Sequence, residues 1–262
     1  MGMKSMTLEE VRDSLIRQED TIVFSLIERA RFPMNSFAYE DVSSFAISGF
    51  STSLLKYFVK EIEATNAKVG RYESPEEHPF FPDDLPNSLI APRNDSQTYH
   101  ELQFLHPAAA SINVNNHIWD FYLKQLRPLI AAEGDDGNYA SSAASDLQCL
   151  QALSRRIHYG KFVAEVKFRD APQDYEPLIR AKDRDALMKL LTFERVEEMV
   201  KRRVERKAMV FGQEVCLGTD GDKGDNKGKY KVDPAVVSRL YDEWVMPLTK
   251  LVEVEYLLRR LD

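Results

Sequence analysis

Two cations project from one face of a segment whose neighbours are mostly apolar. In the run Ser154-Arg155-Arg156-Ile157-His158-Tyr159-Gly160-Lys161-Phe162-Val163-Ala164-Glu165-Val166-Lys167, Arg156 and Lys167 lie 11 residues apart. At ~100° per residue of helix they fall about 20° from alignment. Gly160 and Val163 lie between them on the same stripe. Glycine inside a helix costs roughly 0.5–1 kcal/mol relative to alanine, so it serves packing or ligand access. The pattern suits a small anion held between helices, with the glycine opening space for it. Further charged or polar residues sit on apolar helix faces: Arg12 among Val11, Leu15 and Ile16, Glu197 four residues after Phe193, and Thr249 four before Glu253. Each also has a plainer reading, because charge runs are usually solvated faces. Arg12 could pair with Glu9, Glu253 with Lys250, and Arg156 and Lys167 could be salt-bridged helix charges.

The elements that must position these residues read as helices throughout, with no convincing strand pair. Thr7-Leu8-Glu9-Glu10 is a capping box opening a first helix that Pro33 closes. Its apolar positions Val11, Leu15, Val23, Leu26 and Ile27 recur mostly at helical spacing. A second helix spans roughly 51–68. From Glu73 to Pro107 the prolines predict ordered loop with short helical turns. A helix follows over about 113–132, with Trp119 and Tyr122 on its apolar side, then a turn at Gly134-Asp135-Asp136-Gly137-Asn138. One long central helix is expected over about 142–168. Beyond Pro172, two amphipathic helices fill roughly 174–191 and 194–211. The polar 218–230 segment reads as a mobile surface loop. Asp233-Pro234 then provides an N-cap and a proline at the first helical position of a last helix running to Leu261, kinked near Pro247. With no internal repeat or linker, the expectation is one all-α domain over 1–262, a bundle of about ten or more helices.

Composition removes several classes of function. A chain of 262 residues with 44% hydrophobic content can bury a large core. A net charge of −7 argues against a general nucleic-acid binder, which needs basic surface. Two cysteines, Cys149 and Cys216, make no disulfide framework and read as reduced. No apolar run approaches the ~20 residues of a membrane span. The first six residues are too short for a secretory or transit peptide, so the expected compartment is the cytosol, with a trimmed plastid form as the alternative. Gly218 to Gly228 resembles a calcium loop, but Gly224 replaces a ligand and the closing glutamate is missing. The histidines show no paired metal spacing, and no nucleophile elbow, phosphate loop or dinucleotide fingerprint occurs. An enzyme built on this chain would need no metal, cofactor or covalent nucleophile. On the residues alone, an all-helical phosphopeptide adaptor with a basic groove remains equally open.

Four stretches carry a resemblance: Arg12-Asp13-Ser14-Leu15-Ile16-Arg17-Gln18-Glu19-Asp20, Glu73-Ser74-Pro75-Glu76-Glu77-His78-Pro79-Phe80-Phe81, Leu153 through Lys167, and Pro247 through Leu261. Together and in order they closely resemble the all-helical chorismate mutases of plants and fungi, most like the cytosolic plant isoform. The resemblance implies a homodimer with an active site between helices, and the rearrangement of chorismate to prephenate on the way to phenylalanine and tyrosine. By family match, Arg12 and Arg156 bind the two substrate carboxylates, Thr249 supports one of them, and Glu197 takes the ring hydroxyl. Lys167 and Glu253 donate to the ether oxygen from opposite sides. Glu253 can donate only when protonated, so burial must raise its pKa. A carboxylate beside Thr249 would repel phosphate, which counts against the adaptor.

The chain also departs from the family pattern. Phe193 stands where fungal relatives have an asparagine. Regulated relatives bind aromatic amino acids at a dimer-interface site with an Arg-Arg pair and a Gly-Ser followed by Thr. Here the corresponding positions read Gly70-Arg71, Asn138, Ala140-Ser141 and Ala144. The departures imply weak or absent response to tryptophan, tyrosine and phenylalanine.

Overall fold

The computed structural model describes residues 6–40, 52–90, 104–213 and 230–262. Helix α1 (Leu8–Arg29) opens with the expected capping box: the Glu10 N–H donates to Thr7 Oγ1 at 3.2 Å and the Thr7 N–H to Glu10 Oε2 at 2.9 Å. Helix α2 (Leu54–Lys68) starts at Ser53, whose hydroxyl accepts from the Lys56 N–H. Helical turns at Arg71–Glu73, Pro82–Asp84 and Pro107–Ser111 punctuate the proline-rich stretch.

Helix α3 runs Asn115–Phe121, passes through a π turn at Tyr122–Leu126, and continues as Arg127–Ile130. Helix α9 repeats this design as Pro234–Leu240, a π turn at Tyr241–Val245, and Met246–Leu258. In both, a proline (Pro128 or Pro247) follows the π turn. Its ring clashes with the carbonyl four residues back and it supplies no N–H, so the ladder widens by one residue there. That is the physical content of the kink expected near Pro247.

Two helices expected to be continuous are divided. The 142–168 stretch is α4 (Tyr139–His158) and α5 (Gly160–Asp170), parted at Tyr159, where the Phe162 N–H bonds back only three residues to the Tyr159 carbonyl. The 174–191 stretch is α6 (Pro172–Arg180) and α7 (Arg184–Leu191), because Lys182 takes a left-handed conformation with φ +52°. Helix α8 covers Glu194–Gly212. No strand occurs among the described residues. The expected 218–230 loop lies outside them apart from Tyr230, as does Cys216, while Cys149 is buried and free.

Helix α1 packs along α4, α8 packs on the first part of α9, and α5 packs on its last part. These five helices surround the site. A buried polar knot fixes α1 to α4: Arg29 Nε donates to Asp146 Oδ1 at 2.6 Å, Tyr122 donates to the same oxygen at 2.6 Å, and Tyr39 donates to Oδ2. Removing one partner would strand a buried charge, at a cost of about 3–5 kcal/mol. The Glu-Ser-Pro motif is tied down by Glu63, which accepts the Phe80 and Phe81 N–H groups at 2.7 and 3.0 Å.

Candidate active site

Each of the five helices α1, α4, α5, α8 and α9 contributes a charged or hydroxyl side chain to one cavity. The cavity holds about 310 Å³ and is lined by Arg12 from α1, Arg156 from α4, Lys167 from α5, Glu197 from α8, and Thr249, Lys250 and Glu253 from α9. That volume suits a small molecule. All six residues singled out for chemistry in the sequence therefore meet at one place. Val11, Val163, Phe193 and Val200 supply apolar wall between them.

The ends of the cavity differ. At the α4 end, Arg156 is buried, and its Nη1 donates to Thr249 Oγ1 at 3.3 Å while Nε has no partner among the described residues. The Thr249 hydroxyl is itself spent, donating to the Val245 carbonyl at 2.6 Å. Thr249 thus orients the guanidinium, and Arg156 keeps unspent donors, an arrangement suited to an anion. Arg12 is exposed at the rim and has no ion pair or hydrogen bond among the described residues, so the alternative pairing with Glu9 is not seen.

In the middle, Lys167 Nζ lies 3.2 Å from Glu253 Oε2 and 5.4 Å from the Phe193 ring centre. Glu253 is only 5% exposed. Burial pushes its carboxyl above the usual range, against the opposing pull of Lys167, Arg156 and Lys250. A carboxyl with a raised pKa can carry a proton and donate it in a hydrogen bond. The alternative Glu253–Lys250 pairing gives way to another: Lys250 crosses to α8 and meets Glu197 Oε1 at 2.9 Å.

Gly160 does not open ligand space. A Cβ there would sit 2.8 Å from the Thr249 carbonyl oxygen and 3.3 Å from Glu253 Cγ. The glycine instead lets α5 close on α9, which sets the Lys167–Glu253 distance.

The regulatory positions fall on two elements of the chain. Gly70, with φ +77°, and Arg71 lie at the end of α2, while Asn138, Ala140, Ser141 and Ala144 begin α4. Arg71 is held by Glu77 at 3.0 Å, and Glu77 also receives Arg155. The groove beside Arg71 is lined by Thr21, Phe24, Glu28, Gln148, Gln151 and Arg155, without the α4 start.

Sequence reasoning missed Lys250 as a site residue, since its helical spacing to Glu253 hid a partner on another helix. Phe193, marked in the sequence as a departure from the family asparagine, places its ring beside Lys167. No cluster of three His, Cys, Asp or Glu side chains able to hold a metal occurs among the described residues, and none of their helices is long and apolar enough to cross a membrane.

The type II chorismate mutase family model matches residues 138–254, which include Arg156, Lys167, Glu197, Thr249 and Glu253. The chain is 64% identical to Chorismate mutase 2 of Arabidopsis thaliana over 98% of its own length and 94% of that protein. It is 53% identical to the cytosolic Chorismate mutase 2 of Zea mays, covering 100% of this chain and 98% of that one. Among solved structures it is similar to that of AtCM1 with tyrosine bound in its allosteric site, with TM-score 0.85, 50% identity, and coverage of 100% and 99%. Family match, full-length identity and shared all-helical architecture agree, and the chain belongs to the eukaryotic all-helical chorismate mutases.

Proposed function

We propose that the cavity between α1, α4, α5, α8 and α9 converts chorismate to prephenate, with the roles divided as the family match implies. In this rearrangement the ether C–O bond breaks as a C–C bond forms between the enolpyruvyl terminus and the ring. Both changes occur within one molecule, so no proton, electron or group leaves. Negative charge builds on the ether oxygen as the bond stretches. Arg12 and Arg156 take the two carboxylates and hold the flexible arm over the ring. Lys167 donates to the ether oxygen from one side and protonated Glu253 from the other. Glu197 accepts from the ring hydroxyl.

The observation that carries this reading is Arg156 and Lys167 with donors unspent, facing one cavity with a buried Glu253. Stabilising the ether oxygen supplies about 3–4 kcal/mol, comparable to one oxyanion-hole donor. Restriction of the arm supplies much of the remainder of an acceleration of about 8 kcal/mol. Purified protein should consume chorismate, followed by its absorbance, with prephenate as the product and no additive needed. Absence of turnover with intact fold would overturn the reading.

The working form is a homodimer of one-domain subunits in the cytosol, a compartment supported by likeness to the cytosolic maize protein. Response to aromatic amino acids is weak or absent. AtCM1 binds tyrosine at its allosteric site, whereas this chain has alanine at 140 and 144 and its Arg71 is engaged by Glu77. Addition of tryptophan, tyrosine or phenylalanine at millimolar level should leave the rate nearly constant; a several-fold change with any of them would contradict this.

A further inference from the structure

We infer that Lys250 is a positioning residue, which holds Glu197 so that one carboxylate oxygen is fixed and the other is free to accept the substrate's ring hydroxyl. The inference rests on the proposed chorismate reading and deepens it. Glu197 belongs to the first turn of α8, and its side chain is 28% exposed, so it would otherwise sample several rotamers. Lys250 Nζ reaches it from α9, 2.9 Å from Oε1. The ammonium is braced in turn by Thr192 Oγ1 at 3.4 Å, whose own proton goes to the Met188 carbonyl at 2.8 Å. No hydrogen bond reaches Glu197 Oε2 from the described residues.

None of the other cations of the cavity contacts Glu197 among the described residues. Lys167 pairs with Glu253, and Arg156 is directed at Thr249. Phe193, one turn before Glu197, brings no polar atom to this end. The hydroxyl end is therefore built from one carboxylate and the cation that aims it. An ordinary partly exposed ion pair contributes little to stability. This one links two walls of a ligand cavity, so its effect falls on binding.

The rearrangement makes and breaks no bond to the ring hydroxyl, so loss of its acceptor should weaken ground state and transition state alike. Lys250→Met is expected to raise KM for chorismate about tenfold with kcat changed less than threefold, and Lys250→Arg to recover most of the loss. Adding Lys250→Met to Glu197→Gln should cost almost nothing more, because the lysine acts through the carboxylate. Unchanged KM in Lys250→Met, a loss confined to kcat, or full additivity in the double variant would overturn the assignment. Wild-type turnover is measured first. Its absence sinks the chorismate reading itself, whereas its presence leaves the Lys250 variants to test this inference alone.

Discussion

Lys161 and Lys167 leave the same helix six residues apart, about 240° around it, and meet opposite fates. Lys161 is 1% exposed and has three acceptors for its three protons: the Ala109 carbonyl at 2.8 Å, the Ile112 carbonyl at 2.7 Å and His78 Nε2 at 2.7 Å. Burial pulls its ammonium down to about 7, and the three acceptors favour the charged form against that pull. His78 stacks on His158 at 3.9 Å, and His158 Nε2 accepts the Val114 N–H at 2.9 Å, which requires a neutral ring. Burial keeps it so, pushing His158 down to about 3. Lys167 has a single carboxylate partner and a cavity in front of it. A buried cation with every donor spent joins segments of the fold. One with donors left over beside a cavity is available to a ligand.

The contrast can be broken most forcefully at Arg156, the other under-satisfied cation. Arg156→Ala should lower kcat/KM by about 10³-fold, equivalent to roughly 4 kcal/mol of lost transition-state binding. Its Tm should change little, since Thr249 loses only a marginal 3.3 Å bond. Steady-state kinetics beside a thermal melt checks both halves. Lys161→Met should do the reverse. Two buried carbonyls lose their donor, at about 1–3 kcal/mol each, so stability should fall by roughly 3 kcal/mol. The folded fraction should keep its turnover, as titration of active protein against the denaturation curve would reveal.

A smaller effect sharpens the role of Glu253. Its folded pKa is raised by burial, so the protonated, donating form prevails below that value and activity falls as pH rises through it. Glutamine donates at every pH. Glu253→Gln should therefore stay active at low pH and lose the falling limb, as rate profiles from mildly acidic to alkaline pH would establish. A glutamine variant as inactive as Glu253→Ala throughout would refute the donor role.

Much of this was legible in the sequence because the relevant signals are local. The four-residue spacing of Thr249 and Glu253 lies within one helix, while the 11-residue spacing of Arg156 and Lys167 spans the division at Tyr159, and both pairs still line one cavity. What stayed hidden depends on contacts across the chain. Two of the three acceptors of Lys161 are backbone carbonyls about 50 residues earlier, which no side-chain pattern announces. Lys250 had two carboxylates within reach, and only the placement of α8 selects Glu197. Gly160 was rightly marked as unusual, but its purpose is room for the Thr249 carbonyl 89 positions away, whose oxygen would lie 2.8 Å from any Cβ there. The break at Lys182 arises because a residue with no sequence signal for it adopts a left-handed backbone.

The central claim is that α5 carries one lysine for the fold and another for the reaction, and it is tested most directly by Lys167→Met with chorismate as substrate. The expected result is a kcat lower by about 10²–10³-fold, as for loss of one oxyanion donor, with a smaller change in KM and a Tm close to that of the wild type. A change confined to KM, or turnover preserved while the Tm collapses, would contradict it.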